Sequence, residues 1–546
     1  MNWQSPDQML KLLKELVGKK SISATKFEIN ASNFVYDKLK TLPYYQEHPE
    51  HLIKVDVAGN FPRICVIALY KKGPSPKTLL GVAHVDTVGV DDAGSLKDLM
   101  FNPDEYTKKI SALPLNEDSK KDLESGKYLF GRGVMDMKMG DVLLMHVLEY
   151  YMNDDSFDGN LLFSFVGDEE VNSEGVLTAI PKVAELVKEY DLTPIAALDT
   201  EPDFASFPGD DNKYLYMGTV GKLLAGFFVV GKETHVGESL QGMNVHLILA
   251  NIIRRMELNM DFAENVHGEV TLPPTSLKME DHKRLYNVQT PLTGHIYYNI
   301  PTFKNTPKGI MEKMEVIARA AIKESYDYVK QQNEIFKKES QTVMKTIDLN
   351  PQVVTYAQFY EATKKEIPHL DELLLAKITE LKPEELDERD LTVRLLQYLQ
   401  ELSTNKHPKI ILFFAPPYYP HVSLDETNPQ HQALIEVAAE TVQYAKTKYD
   451  VTINKVHYFQ GLCDLSYFAL EDAEDVLKYL KPNMPTLNKT YSLPLDAIES
   501  ITVPVINYGP HGKDPHKYTE RLEVDYSTRV APDVLKHLIN NIFKVY

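Results

Sequence analysis

The stretch GVAHVDTVGV, residues 81–90, decides how the fold is read, because it places His84 and Asp86 at the end of an otherwise apolar run. In extended backbone, residues two apart point the same way, so these two side chains share a face. Three further runs have the same texture: ICVIALY from Ile64, LLFSFVG from Leu161 and IAAL from Ile195. Runs without polar alternation predict strands covered on both sides, and the helical stretch MKMGDVLLMHVLEYYM separates two of them. This is α/β patterning, in which ligands gather at the carboxyl ends of strands.

Chemistry-bearing residues recur at such ends. In LFGRGVMDMKMG, Asp136 follows a glycine-flanked loop and precedes a helix, where a carboxylate can cap free amides or bridge two cations. In FSFVGDEEVNSEG, Asp168, Glu169 and Glu170 follow a buried run. Adjacent side chains there point to opposite sides, and their mutual repulsion calls for a cation or a proton. In AALDTEPD, Asp199 and Glu201 share a face, and YGPHGKDPHKYTERLEV carries His511 and His516 in a glycine- and proline-rich loop.

Along the chain, Ser5, Pro6 and Gln8 predict a capped helix start, and a second helix is expected over Glu28 to Leu39. The texture changes after FPGDDNKY, residues 207–214. LLAGFFVVG, NVHLILANIIRRMEL and GHIYYNIPTF then give a β-α-β order that reads as an inserted domain, and residues 308–404 are mostly helical by periodicity. KIILFFA from Lys409 and ITVPVINYG are read as the first domain resumed. The expected division is therefore 1–211 with 406–546 as one discontinuous domain, and 212–405 as the insertion.

The 546 residues carry 78 acidic and 59 basic side chains, a net charge of −19, which repels phosphate backbones and anionic headgroups. Nucleic acid and membrane surfaces are excluded as expected partners, and no apolar run approaches the roughly 18 residues of a membrane span. With only Cys65 and Cys463, and no basic region leading into an apolar segment, a reducing, cytoplasmic home is expected.

The motifs AHVDTV, GRGVMDMKMG, GDEEVNSEG, TEPD and HKYTERL, in this order, resemble those of the dinuclear zinc hydrolases of peptidase clan MH, which include aminoacylases, carboxypeptidase G and succinyl-diaminopimelate desuccinylase. GKETHVGESLQGMNV is similar to the family's lid motif and GLCDLSYF to its late aspartate segment. The GTVGKL texture and the length most resemble the arginine-utilization RocB branch. The resemblance implies a zinc-peptidase-like α/β catalytic domain with a mixed, mostly parallel sheet flanked by helices. It also implies an inserted α+β lid and dimerisation domain, here with a helical extension.

It further implies that His84, Asp136 and Glu201 hold one metal ion, and Asp136, Glu170 and His516 a second, with Asp136 bridging. Asp199 stands as the alternative to Glu201, and His511 as the alternative to His516. Glu169 matches the general base, Asp86 the carboxylate behind His84, and His235 a histidine brought across a dimer interface to the oxyanion. Oxygen and nitrogen donors without thiolate suit two divalent ions, zinc first, then cobalt or manganese. The expected activity is hydrolysis of a small peptide or N-acyl amino-acid amide by a homodimer joined through its lid. A non-catalytic scaffold binding an amino-acid metabolite is the competing reading.

Overall fold

The structure, a computed structural model, describes residues 2–546 except 60, 204–209, 211, 342–346 and 385. It divides into two units: 1–220 with 421–471 and 494–546, and 221–420 with 472–493.

The first unit is built on an eight-stranded sheet. Its strands run in the order Leu52–Val57, Arg63–Lys72, Gly159–Val166, Lys77–His84, Thr193–Asp199, Val505–Asn507, Lys213–Tyr216, Ile453–Val456. The central strands Gly159–Val166, Lys77–His84, Thr193–Asp199 and Val505–Asn507 are parallel, whereas Arg63–Lys72 joins antiparallel. The sheet is thus mixed, with parallel pairs at its centre and helices over its faces. Lys77–His84 is buried from Thr78 onward, as its unbroken apolar run predicts for a strand covered on both faces. Helix Pro6–Val17 begins with the expected capping box between Ser5 and Gln8, and its buried stripe Met9, Leu12, Leu13, Leu16 and Val17 has helical spacing. Helix Lys138–Met152 is buried almost all round, so its apolar run needs no polar face.

The second unit holds a five-stranded sheet in the order Thr275–Asp281, Thr293–Thr302, Gly221–Val230, Lys409–Tyr419, Gln352–Thr355. Helices Val245–Met256 and Pro307–Ser340 pack on each other and on this sheet. Leu224, Phe228 and Val230 belong to an apolar cluster with Phe359, Leu374, Leu396 and Leu399, while the intervening Ala225, Phe227 and Val229 are also buried. The helices between 356 and 402 therefore roof one face of a sheet that would otherwise expose apolar surface.

The unit boundaries differ from those expected at 211/212 and 405/406. Residues 207–209 and 211 of the expected break lie outside the described residues. Lys213–Tyr216 pairs in parallel with Ile453–Val456 in the first sheet, so the second unit starts at Gly221. KIILFFA does not resume the first domain: Lys409–Tyr419 pairs antiparallel with Gly221–Val230, Ile410 opposite Val229 and Phe413 opposite Gly226. A continuous apolar run looks the same in the centre of either sheet, and pairing across nearly the whole insertion leaves no local mark. Among the described residues no helix is long and apolar enough to cross a membrane.

Candidate metal centre

His84 is the last residue of its strand, and Asp86 lies just beyond it. His84 Nδ1 faces its own loop, 3.2 Å from the Asp86 carbonyl oxygen and 3.5 Å from Asp86 Oδ1, which leaves Nε2 pointing into the site. The Asp86 carboxylate does more than back the imidazole. Its oxygens accept the backbone N–H groups of Glu169 (3.3 Å) and Glu170 (3.4 Å) and the Ser23 hydroxyl (2.6 Å). One buried carboxylate thus ties the His84 strand end to the acidic loop.

The three acids of that loop separate by role. Asp168 is turned away, at a left-handed φ of 69°, with Oδ1 2.7 Å from Arg63 Nη2 and Oδ2 accepting the Glu174 N–H. Its carbonyl accepts the N–H groups of Val171, Asn172 and Ser173, which closes the turn. Arg63 also binds Glu28 and Glu174, so a buried ionic network lies under the loop. Glu169 and Glu170 face the site.

Asp136 does not cap the helix that follows it; Met137 is at the cap position and no side chain fills the cap. Gly140 lets that helix approach closely, since a Cβ there would run into the Thr200 carbonyl oxygen. The Asp136 carboxylate instead spans two imidazoles, with His84 Nε2 3.3 Å from Oδ1 and His516 Nε2 3.1 Å from Oδ2. His84 Nε2 is also 3.4 Å from Glu201 Oε1, and His516 Nε2 is 3.0 Å from Glu170 Oε2. Glu169 Oε2 stands 3.7 Å from His84 Nε2. Donors around a tetrahedral zinc ion lie about 3.3 Å apart, given metal–ligand bonds of ~2.0–2.1 Å. These spacings therefore suit ligands facing a common ion.

The alternatives are engaged elsewhere. Asp199 Oδ1 accepts the backbone N–H groups of Thr200 (2.7 Å) and Glu201 (3.2 Å), shaping the turn that presents Glu201. His511 is buried with its Nδ1 on Asp203. His516 adopts a left-handed φ of 63°, a conformation costing on the order of 1–3 kcal/mol that persists at functional sites when surroundings fix it. Here Arg132 fixes it: the buried guanidinium donates to the His516 carbonyl at 3.3 Å, to Glu520 Oε2 at 2.7 Å and to the Gly89 carbonyl at 3.1 Å.

The site is overloaded with carboxylate. Burial pushes Glu169 and Glu201 well above their usual range, and burial and Asp136 raise Glu170. Burial also lifts Asp199 and Glu520 to about 7. Asp136 is opposed by its burial but held low by hydrogen bonds from His516 and His84. Hydrogen bonds to Asp136 and Glu170 draw His516 up to about 10. Burial alone would lower His84, yet Glu201 and Asp136 raise it well above its ordinary value. So much buried negative charge is relieved by protons or by cations, and the donor atoms of His84, Asp136 and Glu170 all lie within 4.8 Å of one another.

His235 belongs to the second unit, where it is exposed and accepts the Gly237 N–H on Nδ1 at 3.0 Å. Asp464, in the late aspartate segment, is fully buried within electrostatic reach of Glu169 and Asp199, and burial raises its pKa well above the usual range. Arg132 and the Arg63 network leave little mark in the sequence: an arginine beside the Asp136 loop and one at the start of a buried strand.

The sequence pattern of peptidase family M20/M25/M40 matches residues 110–541. The chain belongs to that family. Protein YqjN of Bacillus subtilis, itself uncharacterized, is 38% identical over 550 residues, covering 100% of this chain and 98% of that one. Protein RocB of the same organism is 31% identical over 538 residues, covering 98% and 95%, which bears out the expected kinship with the RocB branch. The fold is also that of an M20 family metallo-carboxypeptidase from Sulfolobus solfataricus (TM-score 0.53, 11% identity, 98% and 99% covered). Aminopeptidase PepT from Bacillus cereus is similar as well (TM-score 0.51, 12% identity, 99% and 100% covered). The peptidase family makes this chain a peptide-bond hydrolase.

Proposed function

We propose that the protein is a dinuclear metal hydrolase that cleaves a small peptide or N-acyl amino-acid amide, with Glu169 as general base. The observation that carries this reading is the Asp136 carboxylate spanning His84 and His516, with Glu201 beside one imidazole and Glu170 beside the other. His84, Asp136 and Glu201 would hold one ion, and Asp136, Glu170 and His516 the other. The all nitrogen and oxygen donor set fits zinc, with cobalt or manganese as substitutes. When bound, two such ions acidify a water and polarise the scissile carbonyl.

The remaining work falls to side chains. Glu169, kept protonatable by burial, takes the proton of the attacking water and delivers it to the leaving amine. Asp86 holds the backbone N–H groups of Glu169 and Glu170, so base and ligand keep a fixed offset. The test is Glu169→Ala: metal content measured by elemental analysis stays equal to that of the wild type while hydrolysis of a peptide and N-acyl amino-acid panel falls by roughly 10²–10⁴. An unchanged rate removes Glu169 from the mechanism.

The kinship with RocB supports including arginine-derived amides in that panel. A homodimer through the second unit is proposed from its edge strand Thr275–Asp281, on which Leu277 (55% exposed) and Met279 (51%) leave apolar surface for a second copy to cover. In such a dimer, His235 would serve the partner's site as an oxyanion donor. Sedimentation equilibrium is expected to give a dimer at micromolar concentration and a monomer for Leu277→Asp/Met279→Asp. A monomeric wild type removes the trans role of His235.

A further inference from the structure

A second cluster of imidazoles and carboxylate lies in the first unit, in the sequence HPEH, residues 48–51. His48 ends helix Pro43–Glu47, and Glu50 and His51 lie in the single turn Pro49–His51 that leads into the edge strand Leu52–Val57. Glu50 Oε1 is 3.4 Å from His48 Nδ1 and 3.8 Å from His51 Nε2, and one donor atom from each residue lies within 4.8 Å of the others. The first separation is that of neighbouring ligands on a tetrahedral ion, and the second needs a shift of roughly half an ångström, within reach of an exposed glutamate.

The His51 ring is held in place by its neighbours. His51 is buried, its Nδ1 is 2.7 Å from Tyr44 Oη, and that oxygen also accepts the Lys71 N–H at 3.0 Å. A ring that donates its Nδ1 proton to this oxygen presents the Nε2 lone pair toward Glu50, the usual arrangement of a ligating histidine with its outer partner. Tyr190 packs edge-on against His51, and the His48 ring stacks on it with centroids 5.3 Å apart and planes 18° from parallel.

We infer that His48, Glu50 and His51 form a peripheral site for one divalent first-row transition ion, independent of the proposed catalytic pair. Two imidazoles and one carboxylate select zinc, nickel or copper over magnesium or calcium. Three ligands from one short turn leave the remaining positions to water, so the ion is exchangeable and acts as a clip on the chain entering the edge strand.

The test is zinc titration of the full-length, tag-free protein by calorimetry, comparing wild type with His48→Ala and Glu50→Gln. Both positions are solvent-accessible, so the variants keep the fold, and neither belongs to the proposed catalytic machinery. Each variant is expected to bind one equivalent fewer than wild type, or to bind it at least tenfold more weakly, with hydrolysis unchanged. The Cu²⁺-loaded wild type is expected to show, beyond the couplings of the catalytic imidazoles, a further set of nitrogen couplings that His48→Ala diminishes. Equal stoichiometry and affinity in wild type and either variant overturns the assignment, whatever the fate of the catalytic proposal.

Discussion

At the scale of single residues, hydrogen bonding separates groups that sequence leaves equivalent. Asp199 and Glu201 lie two residues apart at a strand end, but Asp199 accepts two backbone N–H groups while Glu201 faces His84. Glu201→Ala is therefore expected to hold one metal equivalent fewer than the wild type by elemental analysis, and Asp199→Asn to match the wild type. A reversed result exchanges their roles. The ligand candidates were legible because histidines and acids at the ends of apolar runs are conspicuous against them. What was not legible is what holds those residues. Arg132 pairs with Glu520 across 388 residues of chain, and Arg63 with Glu28 across 35, and such ion pairs leave no periodic trace. Removing one partner of a buried pair leaves the other uncompensated, so Arg132→Ala is expected to cost about 3–5 kcal/mol in urea unfolding and to release the His516 loop.

At the scale of elements, the acidic loop depends on close backbone contact. Gly175, in the first turn of helix Glu174–Glu189, has no room for a Cβ, which would collide with the Gly167 carbonyl oxygen. Gly175→Ala is expected to displace the loop bearing Glu169 and Glu170 and to lower kcat at least tenfold, with a stability loss of about 1–3 kcal/mol from overpacking. An unaltered kcat would mean that the loop's position does not matter. The helix Lys138–Met152 carries a pH-dependent element too. His146 is buried with Nδ1 2.9 Å from the Trp3 carbonyl oxygen, and burial pushes its pKa down to about 4. An unfolded histidine titrates near 6.5, so between these values the unfolded chain binds a proton that the native one refuses. Stability accordingly falls as pH drops from about 6.5 toward 4, by on the order of 3 kcal/mol, and His146→Leu is expected to flatten that part of the urea-midpoint profile. Element types were largely legible, since capping at Ser5, helical stripes and unbroken apolar runs each have a local cause.

At the scale of the whole molecule, the assignment of strands to sheets was not legible. Lys409–Tyr419 has the composition of a central strand and is one, but in the second sheet, beside a strand nearly 180 residues earlier. Helix Pro307–Ser340 and the helices Tyr356–Glu366, Leu370–Leu381 and Glu388–Leu402 have their physical reason there as well, because the sheet they cover is apolar on both faces. The first unit, by contrast, gathers five separated motifs at one end of a parallel sheet centre, as strand-end chemistry predicts.

The central claim is that Asp136 joins two cations into one site, and anomalous diffraction from crystals of the zinc-loaded protein tests it most directly. Two anomalous peaks roughly 3.5–4 Å apart are expected, one beside His84 and Glu201, the other beside His516 and Glu170, and both in contact with the Asp136 carboxylate. A single peak among these residues, or peaks that leave Asp136 unligated, would contradict the account.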